Sequence, residues 1–167
     1  MTKILNPNKR YVVGFVFSLD CRNVLLIRKN RPVWQAGKLN GIGGEIERNE
    51  SPAAAMVREF AEECGIILPL KAWSLFASIR DSRGWWVDFF YAKYSEIGDA
   101  QSLTDEEVEL VPVNQIAQAP CLPNLRWLIP MALSMSSETH GGYEIQERAE
   151  RAGNQAAASQ RGTRGDV

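Results

Sequence analysis

An α/β fold is expected of these 167 residues, on three observations. Runs rich in β-branched and aromatic residues recur along the chain. A well-capped helix stands between the third and fourth of these runs, and a second apolar helical stretch follows the last. Composition agrees: 45% of the residues are hydrophobic and 23% charged, ordinary globular usage that excludes wholesale disorder. A chain of this length buries enough surface to fold without disulfides or a structural metal.

Tyr11 to Ser18 (YVVGFVFS) and Asn23 to Arg28 (NVLLIR) read as strands, and Leu19-Asp20-Cys21-Arg22 between them makes the pair a hairpin. Asn30 to Gly44 is rich in Gly, Pro and Asn and reads as loop, with a short strand around Lys38 to Ile42. Ser51 then supplies a capping hydroxyl, Pro52 the first helical position, and Gly65 a left-handed terminus, so a helix spans the interval. Within it Val57, Phe60, Ala61 and Cys64 are expected to face the core. Strands follow near Ala72 to Ile79 and Trp85 to Tyr94, joined by the turn Asp81-Ser82-Arg83-Gly84. An acidic loop leads to a strand over Val108 to Val113, and the second helix runs from about Asn124 to Met135.

Residues 1–136 form the expected domain. Residues 137–167 change composition, to Gly, Ala, Gln, Arg and Glu, and read as a polar tail in which Tyr143 to Ala152 have the length for a helix against the body. Nineteen Lys and Arg against twenty Asp and Glu argue against a general polyanion binder, so no nucleic-acid partner is expected. Three cysteines, with no C-x-x-C pair and a single histidine, offer no zinc set and suit a reducing cytoplasm. No apolar run approaches the roughly 18 residues of a membrane span, and the first residues hold no signal-like core. A cytoplasmic protein without a membrane partner is expected.

The informative segment is Gly44 to Ile66. On a helix, Glu59, Glu62 and Glu63 sit at i, i+3 and i+4 and share one face, where like charges repel. Glu45, Glu47 and Glu50 add charge just before it, offset only by Arg48 and Arg58. A solvated acidic face is the plain reading. Oxygen ligands with no His or Cys nearby equally suit a hard divalent cation, and a purely decorative face would more often interleave Lys.

This segment resembles the Nudix hydrolase signature, G-x5-E-x7-R-E-U-x-E-E-x-G-U with U a bulky apolar residue. Gly44, Glu50, Arg58, Glu59, Phe60, Glu62, Glu63, Gly65 and Ile66 meet every fixed position. The resemblance implies an α/β/α sandwich on a mixed sheet, with the box folded as loop–helix–loop. It also implies Mg²⁺-dependent hydrolysis of a nucleoside diphosphate linked to another group, with Mn²⁺ as a substitute ion. By position Glu59, Glu62 and Glu63 resemble the metal ligands, with Gly44 beside them. Arg58 and Glu50 resemble a bracing ion pair, and Gly43 and Gly44 let the backbone pass close to a phosphate. No Ser-His or Cys-His pair supports a covalent route, so direct attack by water is the expected chemistry. For the base, Glu106 on the loop before the last strand is the first choice, Glu107 the second, and Glu63 an alternative.

For the substrate, Lys38-Leu39-Asn40-Gly41-Ile42-Gly43-Gly44 resembles the segment of enzymes that clear oxidised purine nucleotides, where the residue at Asn40 touches the base. Asn124, in Leu122-Pro123-Asn124-Leu125, stands where such enzymes meet the purine edge, and two amides can read its mixed donors and acceptors. Arg28 stands where relatives hold phosphate, and Trp34 is a candidate for stacking on the base. The plain alternatives are a turn residue for Asn40 and a helix cap for Asn124. The proline typical of ADP-ribose enzymes is replaced by Asp81, and the tyrosine of dinucleoside polyphosphate enzymes is missing near Arg83. The reading is therefore a MutT-like pyrophosphohydrolase of a (deoxy)nucleoside triphosphate, giving monophosphate and pyrophosphate. Hydrolysis of another derivative such as a nucleotide sugar, or a nucleotide sensor without turnover, are the alternatives, and the fold is compatible with a homodimer. Charge distribution supports one small polyphosphate: residues 1–44 hold eight Lys or Arg and one acid, while eleven acids fall in Glu45 to Glu63 and Asp99 to Glu109.

Overall fold

Alternation along the first strand divides the molecule into two layers. In β1 (Arg10–Phe17), Phe15 and Phe17 enter one apolar cluster, while Val12 and Val16 enter another on the opposite face. The structure is a computed structural model and describes residues 9–81, 84–135 and 143–147. β1 turns into β2 (Asn23–Arg28), the expected hairpin, and β3 is the short pair Leu39–Asn40. α1 (Pro52–Cys64) is followed by β4 (Ser74–Asp81), β5 (Trp86–Lys93) and β6 (Glu107–Pro112), then by α2 (Leu125–Met135) and β7 (Tyr143–Glu147). The strands and helices fall within two residues of the expected spans, apart from the last strand.

These strands form one mixed sheet in the order β3-β2-β1-β5-β4-β7, with β6 paired to β2. β1 and β5 run parallel over eight residue pairs, whereas the hairpin β1–β2 is antiparallel. That hairpin is zipped only at its turn end, at Val16–Leu25 and Phe17–Val24. Beyond it the two strands part, and residues 39–45 fill the gap. Asn40 pairs with Ile27 on the β2 side, while Ile42 and Glu45 bridge to Gly14 and Tyr11 on the β1 side. This split in the sheet delivers the glycine-rich segment to the C-terminal end of α1.

α1 forms for the reasons read from its sequence. Ser51 Oγ accepts from Ala54 N at 3.2 Å, Pro52 opens the helix, and Gly65, at φ 75°, ends it with its N–H on the Ala61 carbonyl. Its buried stripe is Ala55, Met56, Phe60 and Cys64, with Val57 partly buried, so the helix is rotated slightly from the expected face. Gly14 of β1 explains the difference. A Cβ there would stand 2.8 Å from Met56 and from Trp73, so its absence makes the room that draws Met56 in. α2 covers the other face through Leu125, Leu128, Ile129 and Ala132.

The helix expected over Tyr143 to Ala152 is corrected for its first half. Tyr143–Glu147 form a strand, parallel to β4 with Ile145 opposite Ile79. The physical reason is local: the apolar residues Tyr143 and Ile145 alternate at period two, and β4 offers an open edge. Residues 148–152, like the rest of the tail beyond, lie outside the described residues. Among the described residues no helix is long and apolar enough to cross a membrane.

Candidate active site

The acidic face of α1 is held by one guanidinium. Arg58 Nε and Nη2 donate to the two oxygens of Glu50 at 3.0 and 2.9 Å, a fork on a carboxylate. Nη2 also reaches the Glu45 carbonyl at 3.1 Å, tying the loop before the helix to the helix itself. Nη1 donates to Glu59 Oε1 at 2.8 Å and to Glu62 Oε2 at 3.2 Å. The Arg58 guanidinium holds the Glu50 carboxyl below the usual carboxylate range, while the Glu50 carboxylate raises Arg58. Glu59 behaves differently: burial pushes its carboxyl up despite the contact with Arg58.

Glu63 has no such partner. Burial pushes its carboxyl up to about 7, helped by the charges of Glu59 and Glu106 and opposed by Lys29 and by the Gly43 N–H. That N–H donates to Glu63 Oε2 at 3.3 Å. Gly43 adopts φ 153°, and a Cβ there would run into the Val12 carbonyl, so only glycine brings the backbone this close. At Gly44 a Cβ would lie 2.5 Å from the Glu59 carboxylate. Gly44→Ala is therefore expected to keep the fold, since the obstructed group is the far end of a flexible side chain, yet to displace Glu59. Divalent-ion binding by calorimetry should weaken about tenfold or more, with a melting temperature within a few degrees of the parent.

The loop before β6 brings a fourth acid. Glu106 is buried, paired with Lys29, and its Oε1 accepts from Asn30 N at 2.8 Å. Its charge adds to the upward push on the Glu63 carboxyl. Glu107 is exposed and begins β6 opposite Arg28, which leaves Glu106 as the acid on the cradle side.

A family model, the NUDIX domain, matches residues 8–130. The chain belongs to the Nudix hydrolase family. Solved structures agree on the fold. A MutT structure (Aliivibrio salmonicida and Vibrio cholerae proteins) matches with a TM-score of 0.62 at 20% identity, over 76% of this chain and 97% of that one. The NUDIX domain of Shewanella oneidensis NrtR, complexed with ADP ribose, gives 0.65 at 21%, over 80% and 92%. Shewanella oneidensis NrtR complexed with a 27mer DNA gives 0.63 at 21%, over 76% of this chain and 61% of that one. At these identities the likeness is one of fold.

Nudix hydrolases generally use a divalent metal, and the donor chemistry here fits one. Glu59, Glu62, Glu63 and Glu106 supply oxygens only, and Glu63 is a half-buried acid raised more by burial and by neighbouring acids than Lys29 and the Gly43 N–H lower it. Among the described residues no three potential ligands converge as the side chains stand. Arg58 draws Glu59 and Glu62 to itself, while Lys29 holds Glu106.

The residues expected to read the Nudix substrate are dispersed around the split. Arg28 points to the α2 side, where Nε and Nη2 hold Glu109 at 2.5 and 2.9 Å and Nη1 reaches the Gly37 carbonyl at 2.9 Å. It lines an open cleft of about 500 Å³ with Leu39, Glu109, Gln115 and Gln118. Asn40 lies opposite Ile27 of the α1-side core, its Oδ1 accepting from Gly41 N at 2.9 Å. Asn124 precedes α2, and its carbonyl accepts from Leu128 N at 2.9 Å. Its side-chain amide makes no hydrogen bond among the described residues, in contrast to the capping hydroxyl of Ser51. Trp34 is half exposed on the 32–37 loop, beside the fully exposed Val33. Three residues of the site were not singled out from the sequence: Lys29, Asn30 and Glu109. The signal for Lys29 was present, because neighbours on a strand face opposite sides, and Arg28 on the α2 side puts Lys29 on the side of Glu63.

Proposed function

We propose that this protein hydrolyses a (deoxy)nucleoside triphosphate to the monophosphate and pyrophosphate, with Mg²⁺ held by Glu59, Glu62 and Glu63 near the Gly44 backbone. The observation that carries the reading is the approach of the glycine backbone to two acids of α1, with the Gly43 N–H on Glu63 Oε2 at 3.3 Å and Gly44 packed against the Glu59 carboxylate, while the loop before β6 adds the buried Glu106. When bound, a divalent cation neutralises the diphosphate and lowers the pKa of water. The chain's own part is to fix the carboxylates through Arg58 and to bring the Gly43–Gly44 backbone against the phosphates. Glu106, or Glu63, accepts the proton of the attacking water as its oxygen bonds to phosphorus and the anhydride bond breaks. Asn124, whose amide is unengaged, is the stronger of the two candidates for the base edge, and Trp34 is poised to stack.

A second reading has support in the fold shared with the ADP-ribose-bound NrtR domain: another nucleoside diphosphate derivative as substrate, or binding without turnover. All box carboxylates are kept here, which favours turnover.

A panel with Mg²⁺ tests the reading: the four dNTPs, 8-oxo-dGTP, ADP-ribose, nucleotide sugars and dinucleoside polyphosphates, each with parent protein and Asn124→Ala. Release of pyrophosphate from a triphosphate at the highest kcat/KM is expected. Asn124→Ala should raise KM about tenfold, the loss of one base contact, with kcat and melting temperature little changed. Preferred cleavage of ADP-ribose or a nucleotide sugar would replace the triphosphate assignment, and a purely thermal effect of Asn124→Ala would make it a structural residue.

A further inference from the structure

Lys29 is a largely sequestered cation that the proposed reaction leaves without a task. Its backbone is pinned on both sides, by its own N–H on the Lys38 carbonyl at 2.9 Å and by the Gly37 N–H on its carbonyl at 2.8 Å. The side chain is 16% exposed and its ammonium pairs with Glu106, which is 6% exposed. The Glu106 carboxylate is otherwise held by main chain, Oε1 accepting from Asn30 N, while the backbone N–H of Glu106 donates to the Thr104 hydroxyl oxygen at 3.2 Å. On the other side the ammonium acts electrostatically on Glu63, lowering a carboxyl that Glu106 and Glu59 raise. The ammonium therefore pairs with one carboxylate, Glu106, and contributes to the field at a second, Glu63.

The contrast with Arg58 is chemical. Arg58 grips Glu50 with a two-pronged planar fork and is tied to the Glu45 carbonyl as well, contacts that involve none of the proposed metal ligands. Lys29 is a compact point charge on a flexible four-carbon stem and can leave without breaking any other contact. An unpaired Glu106 at this depth would be costly in the absence of a cation, and Lys29 removes that cost.

We propose that Lys29 is an internal counter-ion of Glu106. It holds Glu106 toward the cradle in the metal-free protein, gives way when a divalent cation binds, and is then free to meet the substrate's phosphates. Lys29 is thus a positioning residue that acts through Glu106, and the inference rests on the metal-dependent reading above.

The test is calorimetric titration of the full chain with Mg²⁺ alone, without nucleotide. Lys29→Met, which removes the competing charge, is expected to bind Mg²⁺ about tenfold more tightly than the parent while its kcat/KM falls. Lys29→Arg, which grips Glu106 harder, is expected to bind more weakly. A merely structural lysine would move affinity and stability down together, so a folded Lys29→Met protein with unchanged or weaker Mg²⁺ affinity overturns the inference. The parent supplies a check independent of any variant. Its Lys29 side-chain ¹⁵N resonance should shift on Mg²⁺ saturation, and an unmoved resonance is equally decisive against the role. Failure of the parent both to bind Mg²⁺ and to hydrolyse any panel member would instead remove the metal-dependent reading itself.

Discussion

Glu63→Gln is expected to lower turnover by on the order of a thousandfold while making the metal-free protein more stable. Both effects come from one fact, a carboxyl pushed by burial from the ordinary range up to about 7. The folded state then binds more protons than the unfolded state between roughly pH 4.5 and 7, so folding stability falls as pH rises through that window and the full penalty is present above it. A rise of that size corresponds to at most about 3 kcal/mol. Glutamine cannot ionise, and its carbonyl still accepts from the Gly43 N–H. Denaturant unfolding in EDTA at pH 8 should show Glu63→Gln ahead of the parent, with the gap closing toward pH 5. A variant less stable at pH 8, or one with parental turnover, would refute the assignment of Glu63 to the cradle.

Arg58→Met should be damaging in the opposite sense, losing stability and turnover together. Five hydrogen bonds leave with the guanidinium, and Glu50 and Glu59, both largely buried, lose their cation. Removing one partner of a buried pair typically costs about 3–5 kcal/mol, and the 25% exposure of Arg58 argues for the lower end. Arg58→Lys recovers the charge without the fork and should restore only part of the loss. The pH sign is also opposite to that of Glu63: Glu50 is held low by Arg58, so its contribution is present at neutral pH and is lost as pH falls through its depressed value. Parallel melts of the two variants between pH 4 and 8, together with turnover at saturating substrate, check both signs.

The parts legible in the sequence are those governed by local rules. Ser51, Pro52 and Gly65 mark α1 because capping and left-handed termini are properties of a few adjacent residues. The acid spacing over Glu59 to Glu63 is likewise a property of one helix. What depends on a distant partner was not legible. Met56 turns inward because Gly14, on β1, leaves a space. Tyr143–Glu147 become a strand because β4 has an edge, which composition cannot reveal. Arg28 lies where phosphate contact was expected, yet Glu109, eighty-one positions away, engages its guanidinium. Strand alternation places Lys29 on the Glu63 side, but its ion pair with Glu106 exists only once β2 and β6 are paired.

The last strand has a consequence of another kind. Without it, Ala77 to Asp81 would present a row of unpaired amides and carbonyls along the rim of the sheet, a template on which a second chain could add by backbone pairing alone. Tyr143–Glu147 occupy that rim, and at five residues they offer little length for further growth. A stretch with the composition of a dispensable appendage thus shields the sheet against self-association, a service to colloidal behaviour rather than to chemistry.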